Sequence, residues 1–583
     1  MDTRVKPAYD GLNIYDGLVD SIYNRPMTYL LRPLLLALAV LLTAAAPAQA
    51  GRDNLVIGIT QFPATFHPNI ENMAAKSYIL AATRRPFTAY GADWKLSCLL
   101  CAELPTLENG GAKLETTPDG KPGMAVTYKI QPKATWGDGV PLTTEDVLFT
   151  WRAGRHPQSG FSGEEFYRRV YKIDAPDAKT FTLHYDKVFF EYNALGGGFD
   201  ILPAHIEAKI FDAAPADYRT RSAYVSDTTN KGLYFGPYRI AAVTTGSHVT
   251  LERNETWWGQ APAFNRVTVR SVENTSALEA NLLSSAIDKI AGDLGLAIDE
   301  AIAFEKRHGA KFNIVTKPGL VYEHIDLNLA NPILADARVR RALLLAVDRA
   351  SMTKQLFAGR QPVADSNVTA LDWIHTEDTA KYPFDPKRAA QLLDEAGWMQ
   401  KQKGAIRTNA KGEKLNLEFM STAGNRSREL VQQVLQSQWK EAGIEVRIRN
   451  QPARVFFGET VSQRKFEAMA MFAWIASPES VPRSQLHSAH IPRADNNWAG
   501  QNYTGYANPK MDALIEAIEV ELDRPKREKL WHDLQKLYAE DLPVLPLYFR
   551  SNTHILPKWL KGVTPTGNLD MTTLWIETWR VEE

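Results

Sequence analysis

Short apolar strands alternate with capped amphipathic helices from residue 54 to the end of this chain, and that alternation confines it to the α/β class. Asn54–Thr60 (Leu-Val-Ile-Gly-Ile at its centre) reads as a strand buried on both faces. Val126–Ile130, Thr180–Tyr185 and the pair Ile240–Val243 and Val249–Arg253 alternate apolar with polar residues, as strands with one wet face do. Trp136-Gly-Asp-Gly139 is a turn, and Thr143-Thr-Glu-Asp146 has the spacing of a capping box for a helix over Val147–Arg152. The second half carries clearer helices. Asp336 caps Ala337–Val347. Asp385-Pro386 opens a helix with the apolar stripe Ala389, Leu392, Leu393, Ala396 and a stop at Gly397. Arg428–Ala442 repeats that design with Leu430, Val434, Leu435 and Trp439, then Gly443 and a strand over Ile444–Ile448. Asn508-Pro509 opens the next helix, and Pro525 restarts another through Tyr538. No linker separates independent domains, so the domains are expected to interleave.

At 583 residues, length alone suggests about three or four domains. Lys+Arg and Asp+Glu both number 67, and a neutral chain of this size argues against a nucleic-acid binder. One segment fixes the expected compartment. Arg32-Pro33 precedes an apolar run over Leu34–Leu42, and small residues follow to Ala48-Gln49-Ala50: a basic start, a short hydrophobic core and an Ala-x-Ala end. Nine apolar residues cannot cross a bilayer, which needs about 20. The expectation is a secretory signal over residues 1–50, with Met27 as a plausible start, cleavage after Ala50 and a periplasmic mature protein. Cys98 and Cys101 are the only cysteines. In an oxidising compartment they could close a local disulfide or stay a buried reduced pair. Ala102-Glu103-Leu104-Pro105 follows at once, which does not suit a redox motif opening a helix.

The chain carries none of the common catalytic or nucleotide-binding signatures: no His-Glu-x-x-His, no Gly-x-Ser-x-Gly, no phosphate-binding loop and no dinucleotide fingerprint. Gly196-Gly197-Gly198 reads as a flexible turn. His487 and His490 have a metal-like i,i+3 spacing, but no nearby carboxylate in sequence completes a site, and structural histidines are favoured. No catalytic residue, metal or cofactor is expected. Aromatic and polar residues are instead interspersed in two irregular stretches. Ala473-Trp474-Ile475-Ala476-Ser477-Pro478-Glu479 follows a strand expected over Ala468–Phe472. Asn496 to Tyr506, with Asn497, Trp498, Tyr503 and Tyr506, precedes a helix. Loops at strand ends are where α/β folds hold ligands, and Trp and Tyr supply apolar area with a polar tip.

Ordered motifs then carry a resemblance. They are the run Tyr128 to Phe149, Gly236-Pro-Tyr-Arg239, Asn254-Glu-Thr-Trp-Trp-Gly259, Leu327-Asn-Leu with Arg338 to Arg349, Phe384 to Trp398, and Tyr506 to Asp512. In that order and spacing the mature chain resembles the family-5 extracellular solute-binding proteins, which serve ABC importers for oligopeptides and dipeptides. The resemblance implies an α/β, two-lobed periplasmic binding protein fold (type II, cluster C-like) with an extra inserted domain. On that reading, lobe 1 takes residues 51–94, 232–323 and 543–583, with a subdomain at 95–231 inserted in it, and lobe 2 takes 324–542. The hinge crossings fall near Val321–Asp326 and Leu542–Tyr548. It also implies a monomer that captures a peptide and docks to an inner-membrane ABC permease, with no nucleic-acid partner. Carried over by position, Glu71 matches a first-lobe acid near the ligand, and the expected ligand-binding set is Glu71, Tyr322, Trp474, Ser477, Glu479, Asn497, Trp498, Tyr503 and Tyr506. One departure stands out. Peptide binders of this kind carry an Asp just after the Trp474 position to pair with the ligand's α-amino group, and here the chain reads Ile-Ala-Ser-Pro-Glu-Ser. Either Glu479 supplies the countercharge from a shifted position, or the ligand lacks a free α-amino group; longer or modified peptides, muropeptide-like ligands, oligosaccharides and opines then stay open.

Overall fold

The structure, a computed structural model, describes residues 52–582 except 71, 72, 163, 273, 293, 453, 454, 497 and 499. The expected signal segment with its cleavage point, and the site candidates Glu71 and Asn497, lie outside the described residues.

A ten-stranded mixed sheet organises the chain. Across it run Glu445–Ile448, Asn416–Met420, Met469–Ile475, Phe312–Leu327, Val544–Pro557, Lys289–Ile290, Asn54–Ile59, Arg266–Ser271, His248–Arg253 and Tyr238–Thr244. Its two central strands are the longest, at 16 and 14 residues, and pair antiparallel over most of their length. One end of this ribbon, Phe312–Pro318 against Ser551–Pro557, runs beside the strands that follow Asn54. The other end, Val321–Leu327, pairs with Met469–Ile475. The register slips between them at Pro318/Val321, and again within the second end at Glu323/His324. A separate four-stranded antiparallel sheet is built from Ala112–Thr116, Pro122–Lys129, Thr180–Tyr185 and Val170–Asp174.

The apolar interior divides the same way. One core gathers residues from 55 to 294 with the last 28 or so of the chain, around Trp136 and Trp579. Another gathers residues 298 to 548 around Trp439. Adjoining it, a third packs Trp531 and Tyr538 of the Arg524–Asp541 helix against Met511, Ile515 and Ile518. Trp439 is fully buried and donates its indole N–H to the Leu343 carbonyl at 2.8 Å.

The expected helices form with the expected caps. Thr143 and Asp146 make the capping box, and the side chains of Asp336, Asp385, Asn508 and Asp523 accept from their helices' first amides. Two readings shift. The strand expected to end at Phe472 continues through Trp474 to Ile475, because it pairs residue for residue with Val321–Leu327. In Arg426–Glu441 the buried positions are Val431, Leu435 and Trp439 with Arg428 and Gln432, while Leu430 and Val434 are half-buried, so the inward face is rotated and partly polar. Cys98 and Cys101 form a disulfide with Cα atoms 5.2 Å apart, at the open end of the short Thr88–Cys98 hairpin.

Candidate functional site

Three cavities meet at one turn. Ala476, Ser477 and Glu479, consecutive or nearly so after the Met469–Ile475 strand, each line a different one. Glu479 holds a left-handed backbone (φ 57°), which is uncommon outside glycine and turns the chain sharply there.

The first is aromatic and narrow, about 90 Å³. Strand alternation builds it. Leu320, Tyr322, His324 and Asp326 line one side from Phe312–Leu327, Phe549 comes from the partner strand, and Trp474 closes the other side. Tyr322, His324, Trp474 and Tyr503 stack in sequence, with ring centroids 5.1, 6.2 and 5.9 Å apart and interplanar angles of 14°, 11° and 24°. The Tyr322 and Tyr538 hydroxyls bond each other at 2.9 Å.

The second chamber, about 430 Å³, is mixed in charge. Tyr90, Trp94 and Glu191 face Asp372, Trp373, Glu479 and Arg527 across it. Burial raises the Glu479 carboxyl, but Arg527 ion-pairs with it and opposes that rise. Burial likewise raises Asp372, against the Glu479 amide that donates to it at 2.9 Å. Glu191 is different. Burial first, then Glu479 and Glu519 nearby, push its carboxyl up to about 7, so it holds a proton near neutrality. The third, smaller chamber shares Tyr90 and Glu191 and adds Ser477 and Asp570, whose carboxyl burial pushes up to about 6 against the Tyr90 amide that donates to it at 2.8 Å. The two sides touch at the chamber's edge: the Phe190 amide donates to the Glu519 carbonyl at 3.0 Å, and the Arg527 guanidinium sits 4.5 Å over the Phe190 ring.

The expected residues therefore divide. Tyr322 and Trp474 line the aromatic cavity and Tyr503 backs it; Ser477 and Glu479 line the other two chambers. Trp498, 36% exposed, lines none of these three. Tyr506 is buried elsewhere, donating its hydroxyl to Asp541 at 2.5 Å. Asn502 in the same stretch donates to the His487 and Tyr506 carbonyls and pins that loop. His487 does gain carboxylates, from the Pro509–Val520 helix: Glu516 at 3.2 Å and Asp512 at 3.8 Å. Among the described residues, no group of three or more His, Cys, Asp or Glu side chains is placed to hold a metal ion. Sequence reasoning missed His324, Asp326, Phe549, Glu191, Trp373 and Arg527. A signal existed for two of them. Tyr322-Glu-His-Ile-Asp326 sets three polar residues in a strand otherwise apolar enough for a core.

Two cores hang on a shared pair of long strands, and three cavities gather around one turn. The comparisons identify the family. The sequence profile of bacterial extracellular solute-binding proteins, family 5 middle, matches residues 113–491, more than half of the chain, and the chain belongs to that family, whose members are transport components and not enzymes. Its relatives include the oligopeptide-binding protein AppA of Bacillus subtilis (strain 168), 29% identical over 475 residues, covering 78% of this chain and 81% of that one. The oligopeptide-binding protein OppA of Mycobacterium tuberculosis (strain H37Rv) is 26% identical over 468 residues, covering 77% and 74%. Among solved structures, the oligopeptide-binding protein of Thermus thermophilus complexed with a pentapeptide superposes with a TM-score of 0.71 at 28% identity, covering 91% of this chain and 96% of that one. The fold is the mixed α/β, two-lobed fold of these periplasmic binding proteins.

Proposed function

We propose that this chain is the periplasmic receptor of an ABC importer, capturing an oligopeptide between its two lobes and delivering it, as a monomer, to an inner-membrane permease. The signal-like segment and predicted cleavage after Ala50 fit export. The lobe division is the one the resemblance implies, with lobe 1 at 51–94, 232–323 and 543–583, its insertion at 95–231, and lobe 2 at 324–542. One observation carries the reading: three cavities converge on the Ala476–Glu479 turn beside the two long strands shared by both cores. A hinge at the register slips would let the 88–96 and 190–193 segments open away from Trp373 and Arg527. The names of the relatives supply the ligand class.

A second reading, the same transport role for a ligand without a free α-amino group, draws on the side chains themselves. Ser477 cannot supply a countercharge, and Glu479 is already paired with Arg527. A thermal-shift screen of peptides, oligosaccharides and opines separates the two. A true ligand at a hundredfold excess over its Kd should add about 2.7 kcal/mol of stability. Response to oligosaccharides or opines alone favours the second reading, and response to no class would sink both.

A further inference from the structure

Among the described residues, the carboxylate on the floor of the aromatic cavity faces no arginine or lysine. Asp326 is 3% exposed, whereas Ile475 at the mouth is 62% exposed, and none of the described residues lining the cavity is an arginine or lysine. Across from Asp326 Oδ1, at 3.2 Å, stands Nε2 of His324, itself fully buried. The other ring nitrogen, Nδ1, lies 3.1 Å from the Tyr322 carbonyl, which can only accept, so Nδ1 carries a hydrogen. In the neutral ring Nε2 is then a lone pair pointed at a carboxylate: two acceptors with no proton between them. Among the described residues, Nε2 has no hydrogen-bond partner, and neither does the buried Oδ1 of Asn367 in the same lining. The floor thus presents a buried carboxylate and unsatisfied acceptors beneath aromatic and aliphatic walls. Such a floor favours a ligand group rich in N–H, and a buried carboxylate favours that group charged.

We propose that this cavity is the subsite for a positively charged ligand side chain, a primary ammonium or guanidinium on an apolar stem. The stem lies along Trp474 and Phe549, and the cation reaches Asp326, with the Trp474 ring face adding a cation–π contact. Burying such a group needs a countercharge already in place, and Asp326 is held there by its strand before any ligand arrives. The inference rests on the peptide-receptor reading above and narrows it to peptides carrying lysine or arginine at one defined position.

The test uses ten alanine pentapeptides titrated calorimetrically into the mature protein: five with a single lysine scanned along the chain and five with norleucine at the same places. Lysine at one position should bind at least tenfold tighter than its norleucine counterpart. That ratio should collapse in Asp326→Asn. N-acetylating all ten separates a side-chain ammonium from the chain's own terminal one, and the lysine preference should survive it. The wild-type ratio needs no variant, so a failure of Asp326→Asn to fold does not blunt the test. Equal or tighter binding of every norleucine peptide overturns the proposal and leaves the receptor reading standing; it would mean that His324 as an imidazolium satisfies Asp326 from within. Loss of the preference on acetylation overturns it in favour of terminal-amine capture. Binding of none of the ten overturns the peptide reading and this proposal with it.

Discussion

Glu323 and Asp326 stand three residues apart on one strand and, by its alternation, on opposite faces of the sheet. Both are buried. Glu323 sits between two guanidiniums, Arg428 at 2.6 Å and Arg550 at 2.5 Å. Burial alone would raise its carboxyl, but Arg550 and then Arg428 outweigh burial and hold it below the usual carboxylate range. Asp326 faces a cavity and a histidine. The same residue chemistry in the same strand closes the structure on one face and leaves it receptive on the other, and the difference is made by arginines arriving from distant segments.

The largest effect should fall on the closed face. Glu323→Ala leaves the buried Arg428 and half-buried Arg550 guanidiniums without their shared carboxylate, and breaking a buried ion pair from one side costs about 3–5 kcal/mol. Denaturant unfolding should register that loss. If instead stability barely moves while ligand affinity drops, Glu323 belongs to the site and the contrast between the faces disappears. On the receptive face the readout inverts. Trp474→Ala removes the wall shared by the ring stack and the cavity, and should cost about 2 kcal/mol or more in ligand binding, as central aromatic anchors do. Its unfolding free energy should change by less, because Trp474 is half-buried and flanked by the exposed Ile475.

A third, smaller effect separates two acids of the mixed chamber. Glu479 has Arg527, whereas Glu191 holds its proton up to about 7 against an ordinary value of 4.5. Between those values the folded state binds a proton that the unfolded state has released, so this residue's contribution to stability falls as pH rises from about 4.5 to about 7 and is flat above. For a partly exposed side chain the loss should be on the order of 1–2 kcal/mol. Unfolding curves for the wild type and Glu191→Gln across that window give the answer by difference, which also cancels the parallel slope from Asp570. A flat difference would mean that Glu191 is solvated like any surface acid.

Much of the fold was legible because it is written locally. Asp-Pro and Asn-Pro starts, Gly stops and period-two strands are properties of adjacent residues, and the structure keeps them. The rotated face of Arg426–Glu441 was missed because Arg428 and Gln432 point inward to partners, Glu323 and Asn450, that lie 105 and 18 residues away. The site follows the same rule. Trp474 and Ser477 could be placed because they follow a readable strand. Glu191, Trp373, Arg527 and Asp570 converge on the chambers from four separate stretches, and nothing beside them in sequence announces it. Tyr506 and Asn502 show the converse: an aromatic, amide-rich stretch has the composition of a binding loop, yet the Asn502 amide is spent on the His487 and Tyr506 backbone.

On the proposed reading, ligand is held at the Ala476–Glu479 turn, between the segments that close over it. A crystal structure of the mature protein with the best ligand from the thermal-shift screen is the decisive test. Continuous ligand density should pass that turn, in contact with Trp474 and reaching toward Tyr90 and Glu191. Density confined to an outer surface, with these three chambers empty and Trp474 untouched, would contradict it.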